Sequence, residues 1–174
     1  MLVTAIKEEL NINSYIKDGF EKVCDVAMSH GKRFIYKSIN NELMYASHRS
    51  WVYMIVSGET IVKIGETGNP LGIEKSYSDQ PITGTKSRLG RLASHGSSGD
   101  QDTDLRIRTE LYEDCIEGKV SIWARRCNTI RIKHIICGLE FGISSTIHKD
   151  LELLYLDYIE RATGSYPRLN AGRK

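Results

Sequence analysis

A chain of 174 residues, 40% hydrophobic and 26% charged, can bury one sizeable core and has the composition of an ordinary globular domain. No apolar run approaches the roughly 20 residues of a membrane span, and the N-terminus, Met1-Leu2-Val3-Thr4-Ala5-Ile6-Lys7, lacks the apolar stretch of a secretion signal. Net charge is only +2, but residues 84–95 (Lys86, Arg88, Arg91, His95) and 119–134 (Lys119, Arg125, Arg126, Arg131, Lys133, His134) hold no acid at all, which implies local positive surface.

In chain order, residues 2–10 and 14–29 read as helices. Leu10, Tyr15, Ile16, Phe20, Val23, Cys24 and Ala27 recur near a 3.6-residue period, and Asn13 or Ser14 suits a cap. Residues 33–37 and 42–45 read as short strands able to pair across Ile39-Asn40-Asn41. We read residues 1–48 as an accessory layer on a core of residues 49–174, with no Pro/Gly-rich linker between them. The strongest hairpin is 51–56 with 61–66, turning at Ser57-Gly58-Glu59. A three-residue loop would set Val56 opposite Thr60 and Tyr53 opposite Lys63, both side chains leaving one face; a two-residue loop would put them on opposite faces.

Residues 67–83 form a polar, Gly- and Pro-bearing loop, long for a compact domain. Helices are predicted over 85–95, over 103–117 with a Leu105, Ile107, Leu111, Tyr112, Cys115 stripe, and over 146–162. The last is the strongest, with Leu151, Leu154, Tyr155, Tyr158 and Ile159 on one face. Residues 119–124 and 129–139 read as strands. Cys24, Cys115, Cys127 and Cys137 form no C-x-x-C pair, which argues against a zinc site and for thiols in a reducing cytoplasm.

The order of the short motifs resembles the GIY-YIG nuclease family. Val52-Tyr53-Met54 is similar to the first motif, with its tyrosine kept. Lys63-Ile64-Gly65 is similar to the second, with lysine in place of tyrosine. Arg91-Leu92-Ala93-Ser94-His95 is similar to the family's arginine helix, Glu152 to its metal-binding glutamate, and Asn170 after Pro167 to its closing asparagine. The resemblance spans residues 51–170. The lost tyrosine, the long loop before Arg88 and the extended interval between Glu152 and Asn170 depart from it.

What the resemblance implies is an α+β fold with a three-stranded, mainly antiparallel sheet flanked by helices. It also implies a cytoplasmic endonuclease that uses one divalent ion, Mg2+ or Mn2+, to cut double-stranded DNA. The short flanks around the motifs favour a small type II restriction endonuclease acting as a homodimer. A phage or mobile-element endonuclease, or a catalytically inactive DNA-binding module, is the alternative.

The chemistry of these residue types agrees. Phosphodiester hydrolysis needs a positioned or deprotonated water and stabilisation of growing negative charge. Tyr53 can orient water, or act as a base if a nearby Lys63 lowers its pKa. Arg91 suits the scissile phosphate, and His95, four residues on, shares its helical face. Glu152 supplies a hard oxygen for magnesium, with Glu140, Asp150 and Glu160 as competitors. Arg88, Lys86, Arg125, Arg126 and Asn170 are the expected DNA contacts, and Arg88 competes with Arg91 for the catalytic role.

Overall fold

The computed structural model describes residues 10–29, 33–72, 87–93 and 101–170. A 3-10 helix (Ile12–Asp18) is followed by β1 (Glu21–Met28), β2 (Phe34–Ser38), α1 (Asn41–Met44), β3 (Trp51–Ser57) and β4 (Thr60–Thr67). Then come α2 (Arg88–Ala93), α3 (Gln101–Glu110), α4 (Tyr112–Ile116), β5 (Val120–Arg126), β6 (Thr129–Ile136), β7 (Leu139–Thr146) and α5 (His148–Thr163). β1 to β5 make one antiparallel sheet in the order β2-β1-β5-β3-β4, and β6 and β7 pair with each other.

The sheet therefore has five strands, not the expected three, because the segment read as a helix over 14–29 is largely β1. Gly19, left-handed at φ 86, ends the 3-10 helix. A register shift between Lys22 and Cys24 then lets two adjacent residues, Val23 and Cys24, both be buried. That doubled burial imitates a helical period. The expected 42–45 strand is instead the turn of helix α1, whose N-cap Asn40 accepts a hydrogen bond from the Leu43 N–H. Residues 2–9 lie outside the described residues.

Helices cover both faces of the sheet. Trp51, Tyr53 and Ile55 pack with Leu89 and Leu92 of α2, Ile107 of α3, and Leu111 and Cys115 at α4. Val52, Met54 and Val56 pack with Ile12, Tyr15, and Leu156 and Ile159 of α5. Six consecutive buried residues, each worth about 2 kcal/mol, make β3 the strand on which both layers depend.

The β3–β4 register differs from the expectation in detail. Ser57 faces Thr60, so the turn is two residues, Gly58-Glu59, with Gly58 at φ 62. A bulge then shifts the pairing: Val56 faces Ile61 but Ile55 faces Lys63. The extra residue restores the parity that the shorter turn would have reversed. Tyr53 faces Gly65, and Tyr53 and Lys63 leave the same side of the hairpin.

β4 lies at the sheet edge, yet its main chain is engaged. Leu10 C=O accepts from Ile61 N–H, Val62 C=O accepts from Leu169 N–H, and Asn170 binds Ile64. Edge groups satisfied this way no longer invite strand addition.

Three further readings are corrected. The 103–117 helix breaks at Leu111 into α3 and α4, with Leu105 exposed and Asp104, Ile107, Arg108 and Leu111 inward. The stripe that α5 buries is His148, Glu152, Leu156 and Ile159, while Leu154 and Tyr158 are exposed. The strand at 129–139 turns at Cys137-Gly138, both at positive φ, into an unforeseen partner, β7. Among the described residues, no helix is long and apolar enough to cross a membrane.

Candidate functional site

The site is built across Gly65. Tyr53, 1% exposed, lays its ring over the β4 backbone. A Cβ at Gly65 would collide with Cζ and Oη of the ring and sit 2.8 Å from Cε1. Glycine at this place therefore follows from close approach. The tyrosine two positions beyond the strand's start and the glycine two beyond Lys63 form one steric unit.

α2 brings the first cation. Ser87 starts this helix, its hydroxyl accepting from the Gly90 N–H at 3.0 Å. Arg88 then projects onto the tyrosine: Nε donates to Tyr53 Oη at 2.8 Å. Its Nη1 and Nη2 donate to Oδ2 and Oδ1 of Asp104 at 3.0 and 2.9 Å. This is a bidentate, largely buried pair. Burial raises the Tyr53 pKa above its ordinary value of 10.0, and the charge and hydrogen bond of Arg88 oppose that rise without cancelling it. The hydroxyl is thus neutral near pH 7. Orienting water fits this state; accepting its proton as a phenolate does not, because desolvation outweighs the charge and hydrogen bond of Arg88.

Arg91 lies one turn along α2 and is half-buried. Arg88, not Arg91, is the arginine on the tyrosine. All three nitrogens of Arg88 are already engaged within the protein. Lys86 and His95 lie outside the described residues, so the helix over 85–95 is seen as Arg88–Ala93.

Lys63 is buried at 6% exposure, on the Tyr53 side of the hairpin. Glu152, at 3%, comes from α5. Its charge is one of those felt by the Tyr53 hydroxyl, which places the carboxylate in electrostatic reach of the Tyr53–Arg88 pair. Of the competing carboxylates, Glu140, Asp150 and Glu160 are all exposed.

Asn170 is placed otherwise than as a DNA contact. Its Oδ1 accepts from Ile64 N–H and its Nδ2 donates to Ile64 C=O, each at 2.7 Å. A side-chain amide here stands in for a neighbouring strand and fixes the residue between Lys63 and Gly65. At 3% exposure its side chain is buried against β4. Arg125 is also engaged, donating to Tyr155 Oη at 2.6 Å. Arg126 is exposed, its guanidinium 5.4 Å from the Trp51 ring centre on the Tyr53 face.

Four polar residues escaped the sequence reading: Asp104, Ser50, Glu66 and His148. Asp104 carried a signal, an acid three residues before Ile107 and seven before Leu111 on a buried stripe. His148 carried another, four residues before Glu152. Ser50 and Glu66 had none, since only the tertiary fold brings them to His148. The imidazole sits 2.9 Å from Ser50 Oγ through Nδ1 and 3.3 Å from Glu66 Oε2 through Nε2.

Among the described residues, no group of three or more His, Cys, Asp or Glu could hold a metal ion. Glu152 could offer a metal a single buried carboxylate. One hard oxygen donor, completed by substrate phosphate and water, fits magnesium.

No family model and no curated protein matches the chain. Among solved structures, a mutant of bacteriophage T4 EndoII is similar over 86% of this chain and 94% of its own, at TM-score 0.57 and 15% identity. The restriction endonuclease HPY188I in complex with product DNA aligns over 99% of this chain and 91% of its own, at TM-score 0.48 and 16% identity. The chain thus has the fold of the phage endonuclease.

Proposed function

We propose that the chain is a DNA endonuclease of the GIY-YIG type that hydrolyses phosphodiester bonds with one divalent ion, Mg2+ or Mn2+. The observation that carries this reading is the juxtaposition at Gly65: a buried tyrosine hydroxyl held by an arginine, a lysine on the same face, and a buried glutamate whose charge reaches that hydroxyl. The likeness in fold to a phage endonuclease supports it.

Tyr53 is assigned to orient the attacking water through its neutral hydroxyl. Arg88 holds that hydroxyl in place, itself locked by Asp104. Arg91, one turn on, is the guanidinium assigned to the scissile phosphate, where charge grows in the transition state. Lys63 offsets negative charge on the same face. Glu152 would hold the metal, which when bound polarises the phosphate and eases departure of the leaving oxygen. Arg126, exposed beside Trp51 on the Tyr53 side, is assigned to contact backbone phosphates. Action on both strands of a palindromic site as a homodimer belongs to the same reading, and sedimentation with and without duplex tests it.

Glu152→Gln tests the core of the proposal. It keeps the side chain's size and one carbonyl oxygen but removes the charge that retains a hard cation. We expect duplex binding to persist in a gel shift while magnesium-dependent cutting disappears. Wild-type cleavage undiminished in excess chelator, or near-normal cutting by Glu152→Gln, overturns it.

A further inference from the structure

We infer that Ser50, Glu66 and His148 form a clamp that positions Glu152 for its ligand role, an inference that rests on the endonuclease reading. α5 has Ile147 at its N-cap and no side-chain cap bond. Its first turn is anchored by His148, which reaches both strands of the hairpin that carries the site. Nδ1 lies 2.9 Å from Ser50 Oγ, immediately before β3. Nε2 lies 3.3 Å from Glu66 Oε2, near the end of β4. Glu66 immediately follows Gly65, and Ser50 lies three residues before Tyr53, so the clamp grips the frame that holds the tyrosine.

Glu152 is four residues after His148, on the same buried stripe of α5. Below it, Leu156 and Ile159 are embedded in the core. The turn bearing Glu152 is therefore held between an apolar anchor on one side and a hydrogen-bonded anchor on the other. Nδ1 shares a hydrogen bond with the Ser50 hydroxyl, and Nε2 lies within ion-pair reach of the Glu66 carboxylate, so each ring nitrogen has one partner.

Ser50 adds an independent sign that this anchor is built. It is a buried non-glycine residue at φ 85, a conformation that side chains other than Gly, Asn and Asp rarely adopt. Its C=O accepts from the Cys127 N–H at 3.0 Å, and its hydroxyl faces His148. Glycine would suit this backbone better. The hydroxyl is what serine adds.

That contrast supplies the test. Ser50→Gly relieves the backbone and deletes the hydroxymethyl group; Glu66→Ala deletes the other arm; Glu66→Gln keeps the side chain's size and an oxygen facing Nε2. Mn2+ binding is read by electron paramagnetic resonance on each protein bound to a phosphorothioate duplex pool, beside amide exchange over residues 149–152 and melting temperature. We expect Ser50→Gly and Glu66→Ala to weaken Mn2+ binding at least tenfold, in line with the roughly 10- to 100-fold effect of outer partners at metal sites. Amide exchange over residues 149–152 should quicken, Ser50→Gly should melt no lower than wild type, and Glu66→Gln should recover most of the binding. If Glu152→Gln loses Mn2+ while Ser50→Gly and Glu66→Ala bind as wild type, the clamp is overturned and the ligand role stands. If Glu152→Gln binds Mn2+ as wild type, the ligand role falls, and the clamp's purpose with it.

Discussion

Arg88 and Tyr53 form a single buried unit: Nε of one meets Oη of the other at 2.8 Å, and Asp104 takes the remainder of the guanidinium. Arg88 is thereby tied to the protein. Arg88→Ala should lower stability by about 3 kcal/mol, because it leaves a buried carboxylate uncompensated. Arg91→Ala should leave urea stability within about 1 kcal/mol of wild type yet slow cleavage by about 100-fold. Denaturation curves and cleavage rates of the two variants decide it. A fully active Arg91→Ala would transfer the phosphate role to Arg88.

The raised Tyr53 pKa sets an alkaline limit on stability. Folded Tyr53 keeps its proton above pH 10, where an unfolded tyrosine loses it. Its contribution is fully present below about pH 10 and is lost as pH rises through the higher folded value. Unfolding free energy should fall from pH 10 upward, and Tyr53→Phe should flatten that fall by up to about 1.4 kcal/mol per pH unit. Urea unfolding of both proteins between pH 8 and 11 measures it. Equal slopes would show that the hydroxyl titrates normally.

Gly65→Ala should displace the Tyr53 ring and break its bond to Arg88, costing about 2 kcal/mol by overpacking and more than tenfold in cleavage. In a Tyr53→Ala background the same substitution should cost almost nothing in stability. A double-mutant cycle with coupling under about 0.5 kcal/mol would mean that the ring and the strand backbone are independent.

Asn170→Ala should expose two main-chain groups of Ile64 and lower stability by about 2 kcal/mol. Exchange of the Ile64 amide should speed up with it. Asn170→Asp keeps the acceptor for Ile64 N–H but loses the donor, so that amide should stay protected while stability still falls. Loss of duplex affinity without either change would restore Asn170 to the DNA surface.

The hairpin, the late strand and α5 were legible because each carries its own local pattern. β3 is an apolar run bounded by a turn, and α5 an amphipathic stretch with Glu152 near its start. The places of Tyr53, Lys63 and Glu152 on these elements were legible for the same reason. β1 was not legible: its bulge doubles up buried residues, and its identity as a strand depends on β5, about a hundred positions away. Nor could sequence choose between Arg88 and Arg91. One helical turn separates them, and what distinguishes them is Asp104 on another helix.

β1 finds its inner partner only when β5 has been made, and Ile64 is completed by a residue 106 positions later. Pairings of such separation fold slowly, since loop closure precedes any gain from contact. On a ribosome, the tyrosine hairpin would emerge well before the strand, helix and amide that fix it. A nascent chain therefore carries Tyr53 and Lys63 before the partners that align them, and on the proposed reading the site is complete only once Asn170 has emerged.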